Sequence, residues 1–138
     1  MSEIAKRIVT VQAGTSWQPT EEMEQEAVIE WTVLMEKQYP ELAMLFHIAN
    51  GGDRHPAVAK KLKAQGVKAG VPDLMLPVAR GGWHGLFIEM KRQKGGRLSV
   101  EQKEWIKALT DEHYLAVRAN GAEEACDILY KYLTETEQ

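Results

Sequence analysis

Three charged residues stand where a folding chain would favour apolar ones. Asp73 follows Pro72 at the head of the run Leu74-Met75-Leu76-Pro77-Val78, and Glu89-Met90-Lys91 ends the run that begins Gly85-Leu86-Phe87-Ile88. If both runs are strands joined near Gly81-Gly82, their charged ends lie side by side. Side chains alternate along a strand, so Glu89 and Lys91 share one face while Met90 points to the other. Two carboxylates held close repel unless protons or cations separate them, and hard oxygen donors in that arrangement suit Mg²⁺. Lys91 beside the pair can orient or help deprotonate a water and can stabilise negative charge on a transferred phosphate. The chemistry that follows is hydrolysis of a phosphodiester. Glu-x-Lys alone arises by chance roughly once in 250 residues. A blander alternative makes Glu89 and Lys91 a same-face ion pair and Asp73 a turn residue. Placement favours the chemistry, because an ordinary ion pair does not require the ends of two runs suited to a core.

The elements that must position these groups follow from spacing. Residues 1–18 show weak alternation and then Gly14 and Ser16, an N-terminal arm ahead of a single domain over 19–138. Thr20 caps a helix with Glu21 and Glu22 in its first turn. Its apolar stripe is Met23, Ala27, Val28, Trp31, Leu34 and Met35, and it ends before Pro40. Leu42–Ala49 reads as a short strand stopped by Asn50-Gly51-Gly52, and Pro56 and Gly66 bracket a second, basic helix. Leu74–Val78 and Gly85–Met90 form the hairpin. Ser99 and Gln102 make a capping box for a helix reaching Asp111. A strand over His113–Val117 and a helix over Ala122–Leu133 complete the chain. This order predicts an α/β fold, a small mixed β-sheet flanked by helices on both faces.

Composition limits the function classes. With 138 residues, 44% hydrophobic and 27% charged, the sequence suits one soluble domain. Its longest apolar runs fall far short of the roughly 20 residues of a membrane span, so no membrane partner is expected. The mixed charges of the first residues do not read as a secretory signal. Cys126 is the single cysteine, which excludes an internal disulfide and a multi-cysteine zinc site, and a cytoplasmic setting is expected. The glycine pairs 51–52, 81–82 and 95–96 lack the strand-to-helix context of a phosphate cradle, so no nucleotide cofactor is expected. The net charge is −3, yet residues 50–107 carry 12 Lys or Arg against 5 Asp or Glu, a local +7. A basic middle between acidic ends fits a phosphate-facing surface, although solvated helix faces would show the same excess. Arg54, Lys60, Lys61, Lys63, Lys68, Arg92, Lys94 and Arg97 are the candidate DNA contacts. His47 either approaches DNA or is a hydrogen-bonded strand histidine. Trp31 and Trp105 fall at core positions of helices, while Trp17 and Trp83 stay open.

Several ordered motifs together resemble one family. They are Pro19-Thr20-Glu21 with Gln25, the strand and turn LFHIANGG, and the approach Gly66-Val67-Lys68-Ala69-Gly70-Val71-Pro72-Asp73. To these add Glu89-Met90-Lys91 and the link Gly95-Gly96-Arg97-Leu98-Ser99 into Glu101-Gln102-Lys103-Glu104-Trp105. From residue 19 onward the chain resembles the VRR-NUC (virus-type replication-repair nuclease) family of the PD-(D/E)XK superfamily. It is most similar to the stand-alone phage and prophage members.

The resemblance implies a restriction-endonuclease-like PD-(D/E)XK fold and a catalytic set of Asp73, Glu89, Lys91, Glu21 and Gln102. It implies Mg²⁺ or Mn²⁺ held by Asp73, Glu89 and the Met90 carbonyl, with an acid of the first helix acting directly or through water. Glu21 is favoured for that place because its spacing to Gln25 matches the family. Glu24 is the alternate, while Glu22 and Glu26 suit dipole compensation and solvation. Gln102 matches the family's polar residue on the helix after the motif, and it is equally half of a capping box. The implied activity is structure-selective endonuclease cleavage of branched DNA, as in a Holliday junction resolvase, by a homodimer in the cytoplasm of a phage-bearing bacterial host. The alternatives are a branched-DNA-binding module that does not cut and an exonuclease with the same chemistry.

Overall fold

The computed structural model describes residues 17–50 and 55–135. The N-terminal arm up to residue 16, Gly51-Gly52 and the candidate DNA contact Arg54 lie outside the described residues. In chain order the elements are α1 (Glu21–Met35), a 3₁₀ turn (Pro40–Met44), β1 (Phe46–His47), α2 (Pro56–Ala64), β2 (Leu74–Leu76), β3 (Leu86–Lys91), α3 (Val100–Asp111), β4 (Leu115–Asn120) and α4 (Ala122–Thr134). The strands form one mixed sheet in the order β1-β2-β3-β4. β1–β2 and β2–β3 are antiparallel, and β3–β4 is parallel.

Local chemistry explains where the elements begin and end. Thr20 accepts the Met23 N–H at 3.2 Å and starts α1. Ser99 and Gln102 make the reciprocal capping box of α3. Between β2 and β3, Arg80 and Trp83 bridge the hairpin around Gly81 and Gly82, as the glycine pair predicted. The hairpin strands are close to expectation, β2 stopping at Leu76 instead of Val78 and β3 running Leu86–Lys91 instead of Gly85–Met90, while β1 and β4 differ more. Pro40 opens a 3₁₀ turn that buries Leu42, leaving only Phe46–His47 to pair as β1 instead of Leu42–Ala49. His113 takes φ 64 in closing α3, so the chain becomes extended only at Leu115 and then pairs with β3 as far as Asn120. That shifts β4 from the expected His113–Val117.

The core lies between one sheet face and the pair α1 and α4, and joins Leu74, Leu76, Leu86, Ile88 and Met90 to Ala27, Val28, Trp31, Ala125, Leu129 and Tyr132. The opposite face carries Phe87, edge-on to Tyr114, and the buried Ala116, with α3 alongside. The stripe expected on α1 is turned from its assigned angle: Met23 and Leu34 are exposed, and Glu24 and Thr32 are buried beside Ala27, Val28 and Trp31.

The reason is a long-range partner for Glu24. Its carboxylate accepts the Ala122 N–H at 3.1 Å, where α4 begins behind Gly121 without a capping side chain, and accepts from Gln93 Nε2 at 3.0 Å. A carboxylate at a helix N-terminus is stabilised by the helix dipole and the free N–H groups. Glu24→Ala would leave both donors without that acceptor inside the core. The expected loss is about 3 kcal/mol of unfolding free energy, read as a lower urea midpoint at unchanged m-value.

Candidate active site

The site forms where the hairpin opens. Leu74 stands opposite Ile88 in the ladder, so continuing the register by one residue sets Asp73 across from Glu89 on the face away from the main core. There the ladder changes character: Asp73 Oδ2 accepts the Met90 N–H at 2.8 Å, where a backbone carbonyl would otherwise serve. Asn50 donates to the other carboxylate oxygen at 3.4 Å. The Asp73 carbonyl accepts from the Ile48 N–H and from the His47 ring, each at 2.8 Å, which tethers β1 to the same point. His47 is therefore the hydrogen-bonded strand histidine. Gly70, with φ +91, lets the approach to Asp73 run against α3, because a Cβ there would sit 2.6 Å from the Glu101 backbone.

Glu89 is only 2% exposed and Lys91 6%. Lys91 Nζ lies 3.8 Å from Glu89 Oε2 and 3.9 Å from Glu21 Oε1, between an acid of the sheet and an acid of the α1 N-terminus. Gln102 Nε2 donates to Glu89 Oε2 at 3.2 Å while its Oε1 accepts the Ser99 N–H at 2.8 Å. One amide thus serves both the helix cap and the site. Burial, and then the neighbouring Asp73 carboxylate, push the Glu89 carboxyl up to about 9 against the pull of Lys91. At neutral pH Glu89 holds a proton where a cation could sit.

The donor chemistry is that of a hard dication. Two carboxylates and the Met90 carbonyl supply oxygen only, and Mg²⁺ keeps several waters in such settings. Among the described residues no three His, Cys, Asp or Glu side chains group as a possible metal-binding cluster, so waters would have to complete the shell. Glu24, the alternate acid, has its carboxylate oxygens engaged by Gln93 and Ala122. Cys126 is buried, and burial pushes its thiol up to about 12, outside nucleophilic range.

The candidate phosphate contacts fall in two groups. Arg92, Lys94 and Arg97 lie on the connection from β3 to α3, directly beyond Lys91, and are exposed. Lys60, Lys61 and Lys63 lie exposed on α2, none of whose residues is buried, and Lys68 follows it, also exposed. Beyond the residues singled out from sequence, the fold brings Asn50 to Asp73 and Gln18 to the Lys94 main chain. Asn50 is read from sequence only as a turn and motif residue, and Gln18 carries no sequence signal, since each acts on a residue distant in the chain. No helix among the described residues is long and apolar enough to cross a membrane.

The comparisons agree with this fold. No curated protein matches the chain. Among solved structures, a protein described as a VRR_NUC domain protein superimposes with a TM-score of 0.71 at 33% identity, covering 88% of this chain and 93% of its own. A family model described as the VRR-NUC domain matches residues 12–123, most of the sequence. The match covers a nuclease-type, DNA-processing domain, and the chain belongs to the VRR-NUC family.

Proposed function

We propose that the protein is a metal-dependent, structure-selective DNA endonuclease that cuts branched DNA in the manner of a Holliday junction resolvase. The observation that carries the reading is the Lys91 ammonium within ion-pair distance of both Glu89 and Glu21, with Asp73 across the hairpin. Asp73, Glu89 and the Met90 carbonyl would hold Mg²⁺ or Mn²⁺, and Glu21 would assist through water. Bound there, the dication supplies Lewis-acid polarisation of the phosphate and makes water more acidic.

The protein's own groups then have defined tasks. Lys91 orients the attacking water and places positive charge beside the phosphoryl oxygens. Water attacks in line, a new P–O bond forms, and the bond to the 3′ oxygen breaks, leaving a 5′-phosphate and a 3′-hydroxyl. Gln102 holds Glu89 by its amide. Lys60, Lys61, Lys63, Lys68, Arg92, Lys94 and Arg97 meet backbone phosphates, which reads the shape of DNA rather than its bases. Two copies would supply opposed sites for two strands of a junction, in the cytoplasm of a phage-bearing host.

The test is cleavage of a four-way junction in Mg²⁺ by the wild type and by Asp73→Ala. Cutting by the wild type alone, with both proteins bound, supports the reading. Equal absence of cutting rejects the enzyme. Cutting of linear but not closed circular DNA would replace the endonuclease with an end-directed enzyme, and light scattering of the free protein checks the dimer.

Gln102 separates cap from chemistry. Gln102→Glu keeps an acceptor for the Ser99 N–H but turns the donor facing Glu89 into an acceptor. Helix content by circular dichroism is expected to hold while cleavage falls about tenfold or more. A matching loss of helix would assign Gln102 to the cap alone.

A further inference from the structure

The connection between β3 and α3 is held at three points by partners distant in sequence. Gln93 donates to the buried Glu24 at 3.0 Å, and the Gly96 carbonyl accepts from the Arg118 guanidinium at 2.5 Å. Between them, Gln18 pairs with the Lys94 main chain in both directions. Its Nε2 donates to the Lys94 carbonyl and its Oε1 accepts the Lys94 N–H, each at 3.1 Å, across 76 residues of sequence. The amide therefore acts like one rung of a ladder, fixing a surface connection to the entry of α1 without adding charge.

That connection and the first turn of α1 are the walls of a cleft of about 490 Å³, within the range of roughly 300–1,000 Å³ that small ligand sites occupy. One wall bears Glu21 and Glu22, and the other bears Arg92, Gly95, Gly96 and Arg97. The cleft adjoins the catalytic centre, because Glu21 is also the acid beside Lys91. An anion entering it is repelled by the glutamate wall and attracted by the guanidinium wall, where a phosphate can take paired N–H donors. Gly95 leaves its part of that wall without a side chain, so a sugar-phosphate chain can approach the backbone there.

We propose that Gln18 is a positioning residue. It clamps the connection so that Arg92 and Arg97 grip a backbone phosphate neighbouring the one that is cut, and the occupant of the cleft is one strand of DNA. This rests on the nuclease reading and adds to it a subsite and a neutral residue that builds it.

A neutral residue that acts through arginines leaves a distinctive trace in salt dependence. Binding of a fluorescein-labelled four-way junction is measured by anisotropy in EDTA over a series of NaCl concentrations. Each phosphate that a variant no longer neutralises reduces the slope of log affinity against log salt by about 1. Arg92→Ala and Arg97→Ala are each expected to show that reduction. Gln18→Ala, which removes no charge, is expected to reduce the slope by about 1 to 2 and to weaken binding roughly tenfold. In the Arg92→Ala/Arg97→Ala background it should change the slope no further. Gln18→Met keeps most of the side chain's size without its hydrogen bonds, and must give the same reduction if Gln18→Ala folds poorly. A wild-type slope in a folded Gln18 variant, with the arginine variants reduced, overturns the clamp. Unchanged slopes in the arginine variants overturn the subsite. If wild-type binding is absent or insensitive to salt, the nuclease reading itself fails.

Discussion

Lys91→Met is expected to lower junction cleavage by about 10³-fold while leaving DNA binding in EDTA nearly intact. The side chain is 6% exposed, and its ammonium lies between Glu89 and Glu21 at 3.8 and 3.9 Å. At those distances it is not locked in a tight pair with either acid, so it remains able to donate to a water or a phosphoryl oxygen. Methionine keeps the stem length and loses the charge and all three donors. Removing the cation also takes away the positive charge that favours ionised Glu89, so the carboxyl should hold its proton to still higher pH. Arginine is not expected to rescue. Gly96 packs against the lysine stem so closely that a Cβ on it would lie 3.0 Å from the Lys91 Cβ, which leaves little room for a planar fork to reorient. Single-turnover cleavage at saturating Mg²⁺, with binding measured separately, distinguishes the outcomes. Cleavage within a factor of about ten of wild type would remove Lys91 from the chemistry, and a parallel collapse of binding would move its role to substrate capture.

The centre of this site is legible in the sequence because its logic is local. Alternation puts Glu89 and Lys91 on one face, and a short hairpin brings Asp73 to them. The capping box of α3 lies within four residues and reads directly. What the sequence hides depends on partners far along the chain. Apolar spacing places Met23 and Leu34 inside, yet the helix turns to bury Glu24, because the N–H of Ala122, 98 residues on, donates to that carboxylate. Once Glu24 is committed there, Glu21 is left as the acid beside Lys91. Local spacing could not separate the three glutamates of that turn on physical grounds, since all of them suit a helix N-terminus. Gln18 is hidden for the same reason: an amide that bonds main chain can meet any residue type. The strand limits moved where backbone geometry overrode side-chain pattern, at Pro40 and at the left-handed His113.

Stability of the metal-free protein is expected to fall as pH rises, and divalent cations should reverse the trend. Burial and the Asp73 carboxylate raise the Glu89 carboxyl from 4.5 to about 9 in the fold. In the unfolded chain the group returns to an ordinary carboxylate value. Between those limits the folded state holds a proton that the unfolded state has released, so unfolding free energy declines with increasing pH. The stabilising contribution is complete below about pH 4.5 and lost by about pH 9. In EDTA the melting temperature should therefore drop steadily from about pH 6 to about pH 9. Glu89→Gln, which keeps an oxygen for Gln102 and cannot ionise, should flatten that drop and separates it from the general self-repulsion of an acidic chain. The same proton must leave before a dication can take its place. Mg²⁺ affinity is then expected to rise about tenfold per pH unit below about 9, with about one proton released per ion bound. Saturating Mg²⁺ should restore the melting temperature most strongly at the alkaline end, because there it neutralises a pair of charges that the fold otherwise tolerates only by protonation. A melting temperature in EDTA that stays level or rises with pH, or Mg²⁺ binding without proton release in calorimetry, would place the Glu89 proton elsewhere.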